Sequence, residues 1–228
     1  MPDRPQHFDP SASETTPSYL TLAGPARAEI EVRRSRFVCD VMPANSEDAA
    51  RTAIEGVRGA SRDAGHHAAA FVLGPDAATM RTNDDGEPSG TAGAPMLDVL
   101  RGPGLTDVVA VVARWFGGTL LGTGGLIRAY ADAVTAALDD ATLLRRELHR
   151  SLVVTLDHVT GPRLENALHG IRGVQVGEVD YTATGMRAHL VVAPASAAAV
   201  TAMIGEVSSG SAVVTPGLMS WVDVPTVA

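Results

Sequence analysis

A short acidic loop holds the first residues whose types and spacing could do chemistry. The stretch NDDGEPSGTAG, residues 83–93, places carboxylates at Asp84, Asp85 and Glu87 among three glycines. Carboxylates this close could coordinate a hard divalent cation or accept hydrogen bonds from backbone N–H groups. Their spacing does not match an EF-hand loop, which needs oxygen ligands at alternate positions and a later Glu. We therefore expect a structured loop, and we assign no metal and no cofactor.

A second candidate site is the glycine-rich run RWFGGTLLGTGGLIRAY, residues 114–130, in which a strand ends and a helix begins. Free N–H groups at a helix start bind anions, and Arg114 and Arg128 bracket the run as possible phosphate or carboxylate partners. The alternative is that the glycines allow close packing of helix on sheet, with Arg114 paired to Asp84 or Asp85. The glycines of this run are Gly117, Gly118, Gly122, Gly124 and Gly125.

Composition excludes several kinds of chemistry. All 18 basic residues are arginines, so Schiff-base, Walker-lysine and Ser-Lys mechanisms are excluded. The lone Cys39 rules out an internal disulfide and a cysteine zinc site, and it is predicted to be a buried structural thiol. A net charge of −8 argues against broad binding of nucleic acid, although a local arginine cluster could still touch phosphate.

His66 and His67 begin a predicted strand and form a weaker candidate. Neighbouring strand residues face opposite ways, so only one of the two can point into a given site. Because no nucleophile stands near them in the sequence, no catalytic triad is indicated. We place His66 with the acidic loop as a possible ligand-binding residue and assign no catalytic residue.

The elements that must position these residues form an α+β pattern in two domains. Residues 1–16, rich in Pro, Ser and Thr, predict a disordered tail without the apolar segment of a secretory signal, so we expect a cytoplasmic location. Residues 17–147 form the first domain, with TDVVAVVARWF as its central strand. Residues 148–228 follow a β-α-β-β-α-β order of the ferredoxin-like kind. No apolar stretch is long enough to span a membrane.

Several long motifs resemble those of the YigZ/IMPACT family. They are RRSRFV, GHHAAAFV, DDGEPSGTAGAPML and VVAVVARWFGGTLLGTGGLIRAY, and with the elements after them the resemblance covers nearly all of residues 30–221. Relatives often have lysine where this chain has Arg34 and Arg128, which keeps the charge but excludes amine chemistry. Ala94 stands where some relatives have lysine. The positions that match the family pattern are Ser35, Arg36, His66, Asp84, Asp85, Gly86, Glu87, Arg114, Gly117, Gly118 and Gly122.

The resemblance implies a fold for each domain and a link to translation. It implies a first domain of the type shared by a small-subunit ribosomal protein and domain IV of elongation factor G. The second domain would resemble domain V of that factor. Eukaryotic relatives act in translational control, by competing for a partner of the kinase that phosphorylates an initiation factor. For this chain it implies a link to translation without established catalysis.

Three functions follow as hypotheses from these observations. The first is a regulatory protein that binds RNA, the ribosome or a translation factor. The second is an enzyme or sensor that binds a small anion between the Asp84–Glu87 loop and the Gly117–Gly125 helix start. The third is a structural module that forms oligomers, and the sequence does not reveal an oligomeric state. The arginines predicted to touch nucleic acid are Arg33, Arg34, Arg36, Arg145, Arg146 and Arg150.

Overall fold

The computed structural model describes residues 18–225, so the predicted tail of residues 1–16 lies outside the described part. The described chain is a mixed α/β protein with two sheets, as the α+β pattern predicts. It divides into two units, one built on Ser18–Arg146 together with residues 223–225, and the other on Glu147–Val222. Within the described range, no helix is both long enough and apolar enough to cross a bilayer.

The first unit is built on one five-stranded sheet with helices on both faces. The strands pair in the order β2-β3-β6-β4-β5. Its helices are α1, α2 and α3, and one further strand, β1, is joined by a bridge between Leu20 and Leu105. The elements are β1 (Ser18–Leu22), β2 (Ala26–Val32), β3 (Ser35–Pro43), α1 (Glu47–Ala60), β4 (His66–Leu73), β5 (Thr79–Asn83), α2 (Gly93–Arg101), β6 (Val108–Trp115) and α3 (Gly122–Asp139).

Strand β6 lies at the centre of this sheet, as its unbroken apolar sequence predicts. It pairs antiparallel with β3 on one side and β4 on the other. Val108, Ala110 and Val112 pack with α2 and α3, whereas Val109 and Val111 pack towards α1 on the opposite face. Because β6 is covered on both faces, its ends are held rigidly, and Arg114 and Trp115 stand at one of these ends.

The second unit has the predicted β-α-β-β-α-β element order. Its strands lie in a five-stranded sheet with the order β1-β7-β9-β8, in which β10 also pairs with β7. Helices α4 and α5 bury Leu164 and Ile204 in one core with Val154 and Leu190. Both helices therefore cover the same face of the sheet, as predicted. The elements are β7 (Leu143–Leu156), α4 (Gly161–Leu168), β8 (Val174–Thr182), β9 (Gly185–Val192), α5 (Ala197–Ser208) and β10 (Val213–Pro225).

Two segments differ from the sequence prediction. The polar residues of LLRRELHRS, residues 143–151, predict a break between elements, but this stretch forms the first part of the 14-residue strand β7. Alternation explains this, because the outward side chains of a half-buried strand are polar. The short strand β1 was missed, since five residues beside a Pro- and Ser-rich segment carry little periodic signal.

Candidate functional site

Asp84 organises the acidic loop from within. Its Oδ1 accepts hydrogen bonds from the N–H groups of Ala92 and Gly93 at 3.0 and 2.8 Å, and its Oδ2 accepts one from Gly90 at 2.8 Å. Burial opposes ionisation of this carboxyl, but the three backbone donors outweigh it and lower the pKa of Asp84. Asp84 therefore holds the loop against the start of α2. Of the two roles considered for the acidic loop, cation coordination and hydrogen bonding to backbone N–H groups, Asp84 has the second.

Asp85 faces the other side of the loop. Its carboxylate accepts hydrogen bonds from the Arg58 side chain at 3.0 Å and from the backbone N–H of His67 at 2.6 Å. The turn that separates it from Glu87 has positive φ at both Asp85 and Gly86, +46° and +86°. This turn sends consecutive acidic side chains in opposite directions.

Glu87 is the carboxylate that enters the core. It accepts hydrogen bonds from Arg114 Nη1 at 2.6 Å and from the Tyr130 hydroxyl at 2.7 Å. The side chains of Arg114 and Glu87 are only 7% and 3% exposed. We call Glu87, Arg114 and Tyr130 the buried triad, and it joins the acidic loop, the central strand and the glycine-initiated helix.

The buried triad corrects one prediction and supplies a residue that was missed. Arg114 pairs with Glu87, so the predicted pairing of Arg114 with Asp84 or Asp85 is wrong. The sequence pattern predicts Tyr130 only as one of the apolar positions of the helix after the glycine-rich run, which α3 confirms. Its hydroxyl was the available signal, since a buried Tyr usually finds a hydrogen-bond partner. Burial, and then its bond to Glu87, raise the pKa of Tyr130, so it remains protonated as the donor.

His66 and His67 point to different surroundings, as strand geometry predicts. His66 Nδ1 lies 2.8 Å from the carbonyl oxygen of Asp85, and because a carbonyl only accepts, the neutral ring carries its proton on Nδ1. The other nitrogen, Nε2, lies 3.9 Å from Glu87 Oε1, and the side chain is 31% exposed. His67 instead donates from Nε2 to the Ser61 carbonyl at 2.9 Å. His66 is thus the histidine beside the buried triad.

The glycine-rich run contacts a second segment, the turn between β2 and β3. A Cβ on Gly117 would lie 2.0 Å from the backbone carbon of Arg34, and the N–H of Gly117 donates to Ser35 Oγ at 3.1 Å. Only glycine allows this approach. Beyond it, Gly118 and Gly122 have positive φ, whereas Gly124 meets open space. Helix α3 starts without a side-chain cap, and Arg128 is exposed on it.

The turn itself carries two exposed arginines in an unusual backbone conformation. Arg33 and Arg34 link paired Val32 and Ser35, and both have positive φ, 48° and 65°. Phe116, the residue before Gly117, is 56% exposed. We call Arg33, Arg34, Phe116 and Gly117 the Arg–Phe surface.

The other candidate arginines are placed differently. Arg36 stacks 4.0 Å from the ring centroid of Trp115 and lies 3.6 Å from Glu29. Arg146 pairs with Asp223 at 2.8 Å and lies 3.8 Å from Asp107. Arg145 is exposed and Arg150 is half-buried, both on β7.

Acid should reveal the role of Asp84 as a loop organiser. Asp84→Asn should lower the free energy of unfolding by about 1.5 kcal/mol at neutral pH, because three N–H groups lose a charged acceptor. The folded pKa is depressed, so the contribution is complete above the unfolded pKa of about 3.9 and is lost as the pH falls through the folded value. Urea unfolding at pH 7 and near pH 2.5 measures this difference. A difference that is equally large at both pH values would contradict the assignment.

Comparison with known proteins agrees with these motifs. A family model described as the Impact N-terminal domain matches residues 33–138. The chain is 40% identical over 151 residues to the IMPACT family member YvyE of Bacillus subtilis (strain 168), covering 66% of this chain and 70% of YvyE. It is 43% identical over 131 residues to the IMPACT family member YigZ of Escherichia coli (strain K12), covering 57% of this chain and 64% of YigZ.

One solved structure covers almost the whole fold. It is described as the crystal structure of a hypothetical protein, is 34% identical, and matches with a TM-score of 0.58 over 86% of this chain and 96% of its own. The matched family model lies entirely within the first unit, which holds the buried triad and the Arg–Phe surface. The chain therefore belongs to the IMPACT family.

Proposed function

We propose that this protein is a cytoplasmic, translation-linked regulatory protein that binds RNA of the ribosome through the Arg–Phe surface, without catalysis. The single observation that carries the proposal is the pair of exposed arginines with positive φ at the β2–β3 turn. The energetic cost of that turn, the local charge and the fold type support the proposal.

The backbone conformation of this turn is unfavourable for the two residues that form it. Two-residue hairpin turns with positive φ at both positions favour Asn-Gly, because other L-residues are strained there. A left-handed conformation costs roughly 1–2 kcal/mol for each ordinary residue. Arg33 and Arg34 occupy both positions and are exposed, so their side chains gain no burial in exchange. Backbone strain of this kind concentrates at functional sites. Two exposed cations in such a turn indicate a polyanionic binding partner.

Local charge fits a specific rather than a general RNA contact. With a net charge of −8, the protein as a whole repels phosphate. The two arginines protrude at a hairpin tip fixed against Gly117, so they can reach phosphate while the rest of the surface stays back. Binding should therefore depend on these two side chains.

The fold types in this proposal are shared with ribosome-contacting proteins. We assign the first unit to the fold of a small-subunit ribosomal protein and elongation factor G domain IV. The second unit is assigned to the ferredoxin-like type of domain V, which its strand order β7-β9-β8, with β10 paired to β7, supports. Since one fold serves many functions, this analogy adds only supporting weight.

Ribosome co-sedimentation tests the proposal. The wild-type protein should pellet with ribosomes at low salt and less at high salt, because phosphate contacts release counterions. Arg33→Glu/Arg34→Glu should abolish pelleting. Arg33→Asn/Arg34→Gly should also abolish it while folding at least as stably, since the turn then has its preferred residues.

A matched control separates the site from total charge. Arg163→Glu/Arg172→Glu makes the same change in net charge at two exposed arginines of the second unit. This variant should pellet like the wild type. Equal loss in both charge-reversed variants, or no loss in either, would refute the proposed surface.

A small-anion site remains the second candidate function. It is favoured by the uncapped, exposed start of α3 and by Arg114 Nε, which is buried without a hydrogen-bond partner within residues 18–225. The carboxylates once placed in this site are engaged, Asp84 by its own loop and Glu87 by the buried triad. A rise in melting temperature with inorganic phosphate or nucleotides, together with no pelleting with ribosomes, would favour this candidate.

A further inference from the structure

We infer that the Arg–Phe surface takes unpaired RNA, with a base stacked on Phe116 and the neighbouring phosphates held by Arg33 and Arg34. This inference rests on the proposed RNA binding and specifies its substrate. It follows from the exposure of Phe116, the support of its ring and the position of the two cations.

Phe116 is an aromatic side chain that stays largely in contact with water. Phe116 is 56% exposed and directly follows a central strand whose residues are almost all buried. Leaving an aromatic ring in water gives up the stabilisation that its burial would provide. A flat apolar surface of this kind is what an unstacked base binds, and such stacking tolerates any base.

The ring is also held in place. The guanidinium carbon of Arg114 lies 5.8 Å from the Phe116 ring centroid and 5.5 Å from that of Phe37. Glu87 fixes this guanidinium through a 2.6 Å bond from Nη1. Arg114 and Glu87 therefore act as positioning residues for Phe116, because they support the ring without reaching the RNA themselves.

The two cations lie in the turn that packs against Gly117, the residue after Phe116. At the end where β3 begins and β6 ends, Phe37 lies opposite Arg114 and Arg36 lies opposite Trp115. Beyond the end of β6, Gly117 contacts the backbone of Arg34. Phe116 lies between Trp115 and Gly117 in the chain. Gly118 comes two residues after it, and a Cβ there would meet nothing within 4 Å, so a nucleic-acid backbone can approach closely at Gly118. One exposed aromatic residue therefore directly precedes the glycine that packs against a turn of two exposed arginines. Aromatic and basic side chains together are the groups that bind single strands.

A duplex does not fit this arrangement. Bases of an A-form helix are already stacked on each other, and a side chain cannot reach their faces through its narrow major groove. A duplex could use only the arginines and would leave Phe116 in water. Unpaired RNA uses every group of the surface.

Fluorescence anisotropy with a labelled ten-nucleotide RNA of mixed sequence, alone or annealed to its complement, tests the inference. The wild type should bind the single strand at least about tenfold more tightly than the duplex at low salt. Phe116→Ala should weaken single-strand binding about tenfold or more, the loss expected when one base loses its stacking partner. Phe116→Leu should weaken it nearly as much, because leucine keeps apolar bulk but has no aromatic face.

The control variant is Val159→Ala, which shortens an apolar side chain that is 78% exposed in the second unit and should bind like the wild type. Circular dichroism melting verifies that each variant is folded.

Equal affinity for single strand and duplex, or unchanged binding by Phe116→Ala, overturns the inference. If Arg33→Glu/Arg34→Glu still loses binding, only the inference fails. If that reversal also has no effect, the proposed function fails with it. Ribosome pelleting without binding to either RNA would assign the contact to ribosomal protein and overturn the inference.

Discussion

Replacing Glu87 by Gln should lower the free energy of unfolding by about 3–5 kcal/mol, the loss expected when a buried ion pair keeps only one partner. Gln can still accept the hydrogen bond from Tyr130, so this change removes charge and little else. Arg114 would then remain between Phe37 and Phe116, buried and without a counter-charge. Urea unfolding monitored by circular dichroism measures the loss.

A second substitution identifies the cause. Adding Arg114→Met removes the unpaired cation, so Glu87→Gln/Arg114→Met should be more stable than Glu87→Gln alone. Glu47→Gln is the matched control, because Glu47 pairs with Arg51 at 3.0 Å on the surface of α1. It should change stability by less than about 1 kcal/mol. A loss from Glu87→Gln no larger than that of the control would show that the buried pair contributes little.

Replacing Gly117 by Ala should lower the free energy of unfolding by about 3 kcal/mol and weaken ribosome pelleting as well. A methyl group there would lie 2.0 Å from the Arg34 carbon and 2.1 Å from its oxygen. Backbone atoms cannot rotate aside, so the β2–β3 turn must move, and overpacking of this kind costs at the upper end of its usual range.

Gly59 in α1 provides the comparison for Gly117, because a Cβ there meets nothing within 4 Å. Gly59→Ala should stabilise the protein by about 0.5–1 kcal/mol through helix propensity alone. Both variants are followed by chemical unfolding and by co-sedimentation. If Gly117→Ala unfolds and pellets like the wild type, the turn is not held against the end of β6.

The elements were predictable wherever periodicity and burial agree. Strand β6 reads as apolar on both faces and lies in the centre of its sheet, and Ser46 caps α1 by accepting the N–H of Ala49 at 3.2 Å. The two helices of the second unit show apolar faces that both pack on the same side of its sheet. Local patterns determine these features, so a single sequence contains them.

The partner of Arg114 was not predictable from spacing. Three carboxylates lie within four residues, and which one enters the core depends on the positive φ values of Asp85 and Gly86. The sequence permits that turn but does not specify its direction. Likewise, Arg33 and Arg34 form a turn that residue preferences would give to Asn-Gly, so no propensity argument could find it. The sequence names the residues of the candidate site but does not determine which of them contact each other.

The ion pair between Arg146 and Asp223, at 2.8 Å, has a consequence for how the protein is assembled from parts. The second unit starts directly after Arg146 and ends directly before Asp223, so its two ends leave the first unit at neighbouring points. A segment inserted in this way behaves as a cassette, since a short bridge between its ends would leave the host chain path unchanged. The family model stops at residue 138, before the cassette begins. We therefore expect the first unit to fold with the Arg–Phe surface intact when a short linker replaces residues 147–222.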